Sequence, residues 1–179
     1  ISTRRRRSSA VSAPARAMSG TPFTIRPATR GDAEALGRLG ARLVEMHHAF
    51  DADRFMAPTA GTARGYGGYL AGQVDDHATI VLVAERAGHV VGYVYGAIEG
   101  TDYMALRGPA AVLHDVIVAP DERRGGVGRA LVGAILEAFT AREAPRVVLS
   151  TAARNATART FFDGLGFRET MVELTRELP

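Results

Sequence analysis

The sequence predicts a mixed α/β fold in which a mixed β-sheet carries helices on both faces. Strand and helix patterns follow one another in the order β-α-α-β-β-β-α-β-α-β, which alternates less regularly than a doubly wound parallel sheet. The clearest segment is an apolar run, Val112–Val118, that passes through a glycine-rich turn into an amphipathic helix. The 179 residues suffice for one domain with a full core, which we expect over residues 21–179.

Composition and charge exclude several function classes. The chain is 46% hydrophobic and 23% charged, as soluble globular proteins are, and it lacks the ~20 consecutive apolar residues of a membrane helix. Without cysteine it has no disulfides, thiolate ligands or cysteine nucleophiles. Five arginines in the first 17 residues produce the positive net charge, because the remaining 17 basic and 19 acidic residues sum to −2. A nucleic-acid-binding fold carries positive charge on its folded surface, so we expect neither a nucleic-acid nor a membrane partner.

Residues 1–20 are expected to form a disordered tail outside the fold. They are small, polar and arginine-rich, and they have no capacity to pack. An acid-free start rich in Arg and Ser has the composition of an organelle transit peptide. The methionine directly before Ser-Gly-Thr-Pro indicates instead that Met18 is the native start.

The chain then predicts a strand and a long helix. Residues 23–26 alternate as a short strand that Pro27 ends. Thr29 or Asp32 can cap the following helix. The apolar positions of this helix keep helical spacing, and they are Leu36, Leu39, Leu43, Met46 and Phe50.

A weaker helix and a hairpin come next. Residues 63–74 are expected to be helical, although four glycines lower the propensity of this segment. Apolar strands over residues 79–84 and 90–98, with Ala87-Gly88 between them, predict a β-hairpin.

The second half of the chain is organised around the run Val112–Val118. Its β-branched residues predict a strand buried on both faces. After the helix that follows the glycine turn, residues 146–150 predict a strand. Residues 155–164 predict a helix capped near Asn155, and residues 168–174 predict a last strand.

The turn between the central strand and its helix has the features of an anion site. Glycines at a helix N-terminus expose backbone N–H groups at the positive end of the helix dipole. Without G-K-[ST] or G-x-G-x-x-G, the turn is neither a Walker loop nor a dinucleotide fingerprint. Arg123, Arg124 and Arg129 crowd this terminus, where each cation costs about 0.3–1 kcal/mol unless a polyphosphate binds. An arginine-rich surface turn with no ligand is the alternative.

Two motifs resemble the GNAT-type N-acetyltransferases over most of the chain. The segment VIVAPDERRGGVGRAL contains R-x-x-G-x-G, the pyrophosphate loop of that family. The segment NATARTFFDGLGF resembles the later N-x-x-A-x-x-x-Y-x-x-x-G-F motif, with Asn155, Ala158, Gly166 and Phe167 in register. The resemblance implies a mostly antiparallel central sheet, acetyl-coenzyme A as donor and an amine as acceptor. It also implies that the amine attacks the thioester directly while both substrates are bound.

The resemblance further implies which residues hold coenzyme A. They lie on the central strand, in the glycine turn and on the later helix, and they are Val116, Ile117, Val118, Arg123, Arg124, Gly125, Gly126, Val127, Gly128, Arg129, Asn155 and Phe162. Phe162 stands where the family commonly has a tyrosine that protonates the leaving thiolate, and phenylalanine has no proton to give. A thiol with a pKa near ~8.5 can instead be protonated by water or another group. Core packing of Phe161-Phe162 explains this aromatic pair equally well.

His114 is the best candidate for a general base. It interrupts the central strand beside the expected thioester, and its reference pKa of ~6.5 suits removal of a proton from an ammonium group. By the period-two rule Asp115 points to the opposite face, so one of the two lines the site while the other makes structural hydrogen bonds. A buried structural His–Asp pair is the alternative. Glu99, Asp102 and Tyr103, in the preceding loop, are further candidates that can reach the acceptor.

Other motifs add no further chemistry. His47 and His48 end the first long helix, beside the region where family members bind the acceptor, but adjacent helical residues do not share a face and cannot chelate. Neither an H-E-x-x-H spacing nor a G-x-S-x-G elbow occurs, so no metal site and no serine hydrolase are predicted.

The leading prediction is a cytoplasmic N-acetyltransferase acting on a primary amine of a small molecule or peptide, with a homodimer as one possible assembly. The alternative is a catalytically weak acyl-CoA-binding module with a regulatory or docking role, which the phenylalanine at position 162 favours. The acceptor is not predicted, because it is bound by the loops that vary most in this fold.

Overall fold

The computed structural model describes residues 22–178 and has a five-stranded mixed sheet in the order β1-β2-β3-β4-β5. The strands are β1 (Phe23–Pro27), β2 (Thr79–Arg86), β3 (His89–Glu99), β4 (Ala110–Val118) and β5 (Val147–Leu149). The helices are α1 (Ala33–Phe50), α2 (Thr62–Gln73), α3 (Val127–Ala141) and α4 (Ala156–Asp163). All neighbouring strands are antiparallel except β4 and β5. This confirms the mostly antiparallel sheet; the expected tail over residues 1–20, with Met18, lies outside the described residues.

Helices cover both faces of the sheet, as predicted. On one face α3 buries Leu131, Ile135 and Phe139 against the middle strands, and Phe162 of α4 joins the same cluster. On the other face α1 and α2 pack against Tyr93, Tyr95 and Ile117. Between residues 22 and 178, no helix is both long enough and apolar enough to cross a membrane.

Helices α1 and α2 approach each other closely because glycines face each other at the crossing. A Cβ atom on Gly67 would lie 2.2 Å from the carbonyl oxygen of Ala33, and one on Gly37 would lie 2.2 Å from that of Ala63. Gly68, one residue further along α2, faces open space instead. The second helix is therefore confirmed, and one of the glycines that lowers its propensity is required for its packing.

The start of α1 is held by an ion pair rather than by a side-chain cap. Asp32 precedes the helix without capping it, because its carboxylate accepts two 2.8 Å hydrogen bonds from Arg26 and one from the backbone N–H of Thr29 at 2.7 Å. The guanidinium of Arg26 lowers the pKa of Asp32 to about 2. Arg26 also binds Glu85 at 2.8 Å, so this cluster fastens β1 and β2 to the beginning of α1.

The predicted last strand is wrong. Residues 168–174 form no strand in the described part of the chain, and Met171, Val172 and Leu174 are 72%, 74% and 90% exposed. A segment with high strand propensity forms a strand only where a neighbouring strand supplies hydrogen bonds and packing. Side-chain ion pairs hold this segment instead, from Arg159 to Glu169 and from Arg54 to Glu173.

Alanine substitutions at two adjacent glycines of α2 should change the stability of the protein in opposite directions. Gly67→Ala forces a methyl group against the backbone of α1, and we expect it to lower the free energy of unfolding by about 1–3 kcal/mol. Gly68→Ala adds helix propensity without a contact, and we expect it to raise the free energy of unfolding by up to about 1 kcal/mol. Urea denaturation of both variants measures the difference, and equal effects would contradict the close crossing.

Candidate active site

A pocket opens where strands β4 and β5 stop pairing. Their parallel ladder joins Ala111, Val112 and Leu113 to residues 147–149 and then ends. Strand β4 continues to Val118 and stays paired with β3. Within the described residues, the outer edge of β4 therefore has no strand beside it after Leu113. The cavity at this point has a volume of about 260 Å³.

The pocket wall is built from six parts of the chain, one of which is Tyr66 of α2. One side consists of the diverging ends of β4 and β5 together with α4, and the other consists of the last turns of α1 with residues 55–56. The lining residues are Leu43, Val44, Met46, His47, Phe55, Met56, Tyr66, Leu113, His114, Asp115, Val116, Leu149, Ser150, Thr151, Asn155, Ala158 and Phe162. The structure thus brings His114, Asp115, Val116, Asn155 and Phe162 of the predicted site together.

A β-bulge places His114 and Asp115 on the same face of the sheet. Asp115 pairs with Tyr95 and Leu113 pairs with the next residue of β3, which leaves His114 as the extra residue. The His114 ring stacks on Tyr95 with centroids 5.1 Å apart, and Asp115 accepts a hydrogen bond from Tyr93 at 3.1 Å. Tyr93 and Tyr95 are two residues apart and share a face. The predicted opposite orientation is therefore wrong, because the bulge interrupts the strand period.

The Asp115 carboxylate is held by two tyrosine hydroxyls. Tyr66 donates to its Oδ2 atom at 2.6 Å, from α2, and Tyr93 donates to the same atom from β3. Burial raises the pKa of Asp115, although both hydrogen bonds oppose the shift. Burial and the nearby carboxylate also raise the pKa values of Tyr66 and Tyr93, so both hydroxyls remain donors.

The His114 imidazole is held by Glu99. The Nε2 atom lies 3.0 Å from Oε1 of Glu99, and the other carboxylate oxygen of Glu99 accepts from Arg107 at 2.9 Å. Stacking on Tyr95 fixes the ring plane. Glu99, the last residue of β3, lies outside the pocket lining and contacts His114, so its predicted reach to the acceptor stays a prediction.

The remaining polar candidates lie outside the pocket or already bind backbone groups. Asp102 accepts from the backbone N–H groups of Met104 and Ala105, Tyr103 is 78% exposed, and neither lines the pocket. His47 lines it, with Nδ1 2.8 Å from the carbonyl oxygen of Leu43. Within residues 22–178 no three acidic or histidine side chains are arranged to hold a metal ion.

One face of α4 forms the far wall. Asn155 caps this helix as predicted, since its Oδ1 atom accepts from the N–H of Ala158 at 3.0 Å. Asn155, Ala158 and Phe162 follow one another at three- and four-residue spacings, which puts them on the same side of the helix. Phe162 is buried against Phe161 and Phe167, so its ring belongs both to the core and to the pocket wall.

The glycine turn lies at the other end of the exposed β4 edge. Helix α3 begins at Val127, and Gly126 before it has φ 83°, a left-handed conformation that favours glycine. No side chain caps the helix, so the N–H groups of its first turn lack a side-chain acceptor in the described part of the chain. Arg86 positions the turn through a 2.5 Å ion pair with Glu122. The turn and α3 occur as predicted, whereas an anion bound there remains a prediction.

Three tyrosines that contact His114 or Asp115 are not predicted from the sequence. Tyr93 and Tyr95 carry a weak signal, because they alternate along a strand and so share a face. Tyr66 carries none, since it lies in a glycine-rich segment without a motif. Its ring fits against Gly40 of α1, where a Cβ atom would lie 2.2 Å from the ring.

The sequence profile of the acetyltransferase (GNAT) family matches residues 41–167. This match covers more than half of the chain, so the chain belongs to the GNAT acetyltransferase family, as its motifs predict. It is accordingly an acyltransferase.

Relatives and solved structures agree with this membership. A mycothiol acetyltransferase of Thermobispora bispora is 35% identical over 97 residues, which is 52% of this chain but only 31% of that protein. The uncharacterized N-acetyltransferase YhfO of Bacillus subtilis is 24% identical over 149 residues, 82% of this chain and 91% of its own length. The tetramutant of the BH1408 protein from Bacillus halodurans has a TM-score of 0.72 at 25% identity, covering 87% of this chain and 99% of that one.

A more distant solved structure is the aminoglycoside N-acetyltransferase AAC(6')-Iy in complex with CoA. It has a TM-score of 0.63 at 18% identity, covering 89% of this chain and 96% of that one. At this identity the likeness shows the fold alone.

The hydrogen bond from the Tyr66 hydroxyl should lower the pKa of Asp115. Tyr66→Phe removes one of two donors to the carboxylate, so we expect the pKa of Asp115 to rise further. A carboxyl pKa above its unfolded value makes stability fall as the pH rises above about 4, and this fall should be steeper in the variant. NMR titration of the Asp115 carboxyl carbon measures the pKa directly.

Tyr69→Phe is the matched control for that titration. Its hydroxyl lies 3.1 Å from that of Tyr95 and does not bond Asp115, so the pKa of Asp115 should stay at the wild-type value. A Tyr66→Phe titration that coincides with the control would show that the 2.6 Å contact does not stabilise the carboxylate.

Proposed function

We propose that the chain transfers the acetyl group of acetyl-coenzyme A to a primary amine of a small molecule or peptide. The observation that carries this proposal is the position of His114 and Asp115. Both lie at the point where β4 and β5 part, on the wall of the same pocket as Asn155 and Phe162. An amine bound at the α1 side of this pocket would meet an acyl group bound at the β4–β5 side.

The residues around the opening fit a coenzyme A thioester. Backbone groups of Val116 to Val118 lie on the β4 edge that has no neighbouring strand in residues 22–178, where an amide-bearing chain can form hydrogen bonds. The edge leads to Gly126, where the N–H groups of the first turn of α3 and the helix dipole suit a pyrophosphate. Val118 contacts the Cα side of Gly128 at this junction, with a methyl group 3.6 Å from a Cβ built there. The strand edge and the phosphate site are therefore continuous.

In the proposed reaction His114 takes the proton that the amine loses as it attacks the thioester carbonyl. The carboxylate of Glu99, whose Oε1 atom lies 3.0 Å from Nε2 of His114, stabilises the imidazolium that forms. The Asp115 carboxylate, held by Tyr66 and Tyr93, attracts the ammonium form of the acceptor into the pocket, where it releases one proton to water and becomes the attacking amine. The C–N bond forms, the C–S bond breaks, and the released thiolate takes its proton from water or from protonated His114.

Family membership supports the donor more than it supports the acceptor. AAC(6')-Iy, which shares this fold, was solved with CoA, but its aminoglycoside acceptors belong to that protein. A catalytically weak acyl-CoA-binding module is the competing function, because Phe162 offers no proton to a thiolate. The homodimer, the cytoplasmic location and the absence of a nucleic-acid partner stay predictions.

Coenzyme A should stabilise the protein through the glycine turn. At 100 times its Kd a ligand adds about 2.7 kcal/mol, which raises the Tm of a domain of this size by roughly 5–10 °C. Gly126→Val and Gly128→Val should abolish this shift, because valine strains the left-handed backbone of Gly126 and crowds Val118 and Phe161 at Gly128, which displaces the N–H groups of the first turn. Differential scanning fluorimetry with and without coenzyme A measures it.

Gly133→Val is the control for general effects of valine in α3. A Cβ atom at Gly133 meets nothing within 4 Å, so this variant should keep the full coenzyme A shift. If both turn variants keep the full Tm shift with coenzyme A, the turn does not bind the donor.

His114 and Phe162 should differ sharply in their effect on acetyl transfer. His114→Ala should slow single-turnover transfer by about 10²–10⁴-fold, the usual contribution of acid–base catalysis, while the coenzyme A Tm shift is kept. Phe162→Tyr adds the phenol that the family motif has, and we expect a change of less than about threefold if His114 already moves the protons. The assay follows thiol release over pH 6–9 with the best acceptor of an amine panel.

The two variants also separate the competing functions. A large acceleration by Phe162→Tyr would show that the natural chain lacks an acid it needs, as expected of a weak binding module. An undiminished rate and an unaltered pH profile in His114→Ala would instead transfer the base role to Asp115 or Glu99.

A further inference from the structure

The acceptor side of the pocket is apolar at one end and polar at the other. Leu43, Val44, Met46, Phe55 and Met56 form the end beside α1. Asp115 accepts a hydrogen bond from Tyr66 and lies next to His114 on the side formed by β4, β5 and α4, which Ser150, Thr151 and Asn155 also line. His47 does not break this division, because its Nδ1 atom is engaged by the carbonyl oxygen of Leu43 and its ring packs on Phe55 at 5.1 Å.

The lining of this pocket contains one carboxylate, that of Asp115. Two other carboxylates nearby are already paired, since Glu99 binds Arg107 and His114. Beyond Phe55, Glu173 binds the guanidinium of Arg54. That guanidinium also lies 5.1 Å from the centre of the Phe55 ring, so this wall already carries a cation. The pocket can therefore neutralise a single ammonium group.

We propose that the acceptor is a small monoamine with an alkyl or aryl body. Its ammonium group lies beside Asp115 and His114, and its body lies against Met46 and Phe55. A second ammonium group at the far end would gain no carboxylate, and beside the half-buried Met46 and Phe55 it would lose part of its water, although Met56 at this end is 76% exposed. This inference rests on the proposed acetyl transfer and specifies its substrate class.

Matched amines that differ only in the second charge test the proposal. Hexylamine and 1,6-diaminohexane have the same chain, as benzylamine and 1,4-bis(aminomethyl)benzene have the same ring. With the wild-type protein, acetyl-coenzyme A and each amine, we expect kcat/KM for the monoamine to exceed that of the diamine at least tenfold in both pairs. Thiol release and product mass give the rates.

A carboxylate added to the apolar end should weaken or remove this preference. Met46→Glu places one there on a half-buried position of α1, and we expect the diamine-to-monoamine ratio of kcat/KM to rise at least tenfold. Ala49→Glu makes the same charge change on the exposed side of α1, outside the pocket lining, and should leave the ratio unchanged. A ratio is independent of the folded fraction, and the wild-type ratio alone decides the matter if Met46→Glu does not fold.

The outcomes separate this inference from the function on which it rests. A wild-type protein that acetylates the diamines as fast as the monoamines overturns the monoamine proposal and leaves acetyl transfer standing. The same holds if only aminoglycosides, polyamines or peptides are acetylated. Failure of every amine to release thiol, with coenzyme A still bound, overturns both proposals and favours a binding module.

Discussion

The short ladder between β4 and β5 is the constraint on which the site depends. Because these parallel strands pair only as far as Leu113 and Leu149, the sheet is continuous at one end and open at the other. The closed end is covered by α3, whose Phe139 is fully buried in the core cluster on that face of the sheet. The open end leaves backbone groups of β4 accessible in the middle of the domain, where side chains from both strands, α1 and α4 can meet one ligand.

The bulge at His114 makes this opening polar. In a regular strand, neighbouring side chains point to opposite faces, and only one of His114 and Asp115 could face the tyrosines of β3. The extra residue turns both side chains to that face, where Tyr95 stacks on one and Tyr93 binds the other. The second donor to Asp115, Tyr66, is seated against Gly40. The packing of α1 on α2 therefore controls the environment of a carboxylate on β4.

Much of the fold follows from the sequence, because its strongest patterns have one physical interpretation. The apolar run of β4, the hairpin at Ala87-Gly88 and the Asn155 cap each combine a periodicity with a matching end signal, and all occur as predicted. The last strand does not, since residues 168–174 have the composition of a strand but no neighbour to pair with in the described chain. The sequence could not predict that His114 and Asp115 share a face, because a β-bulge is defined by the pairing of β4 with β3.

Backbone geometry determines one half of the pocket and side chains determine the other. Sequence motifs can predict only the half that depends on backbone geometry. In the proposed reaction the donor half consists of a strand edge, glycines at a helix start and one face of α4, so backbone geometry would set most of its chemistry. Few residues can replace Gly126 at φ 83°, and such requirements leave a readable pattern. The acceptor half consists of side chains on α1 and residues 55–56, and many apolar residues can fill those positions. Family membership therefore follows from the donor half, whereas acceptor choice depends on the charge and volume of a few side chains that can change without disturbing β4 or α3.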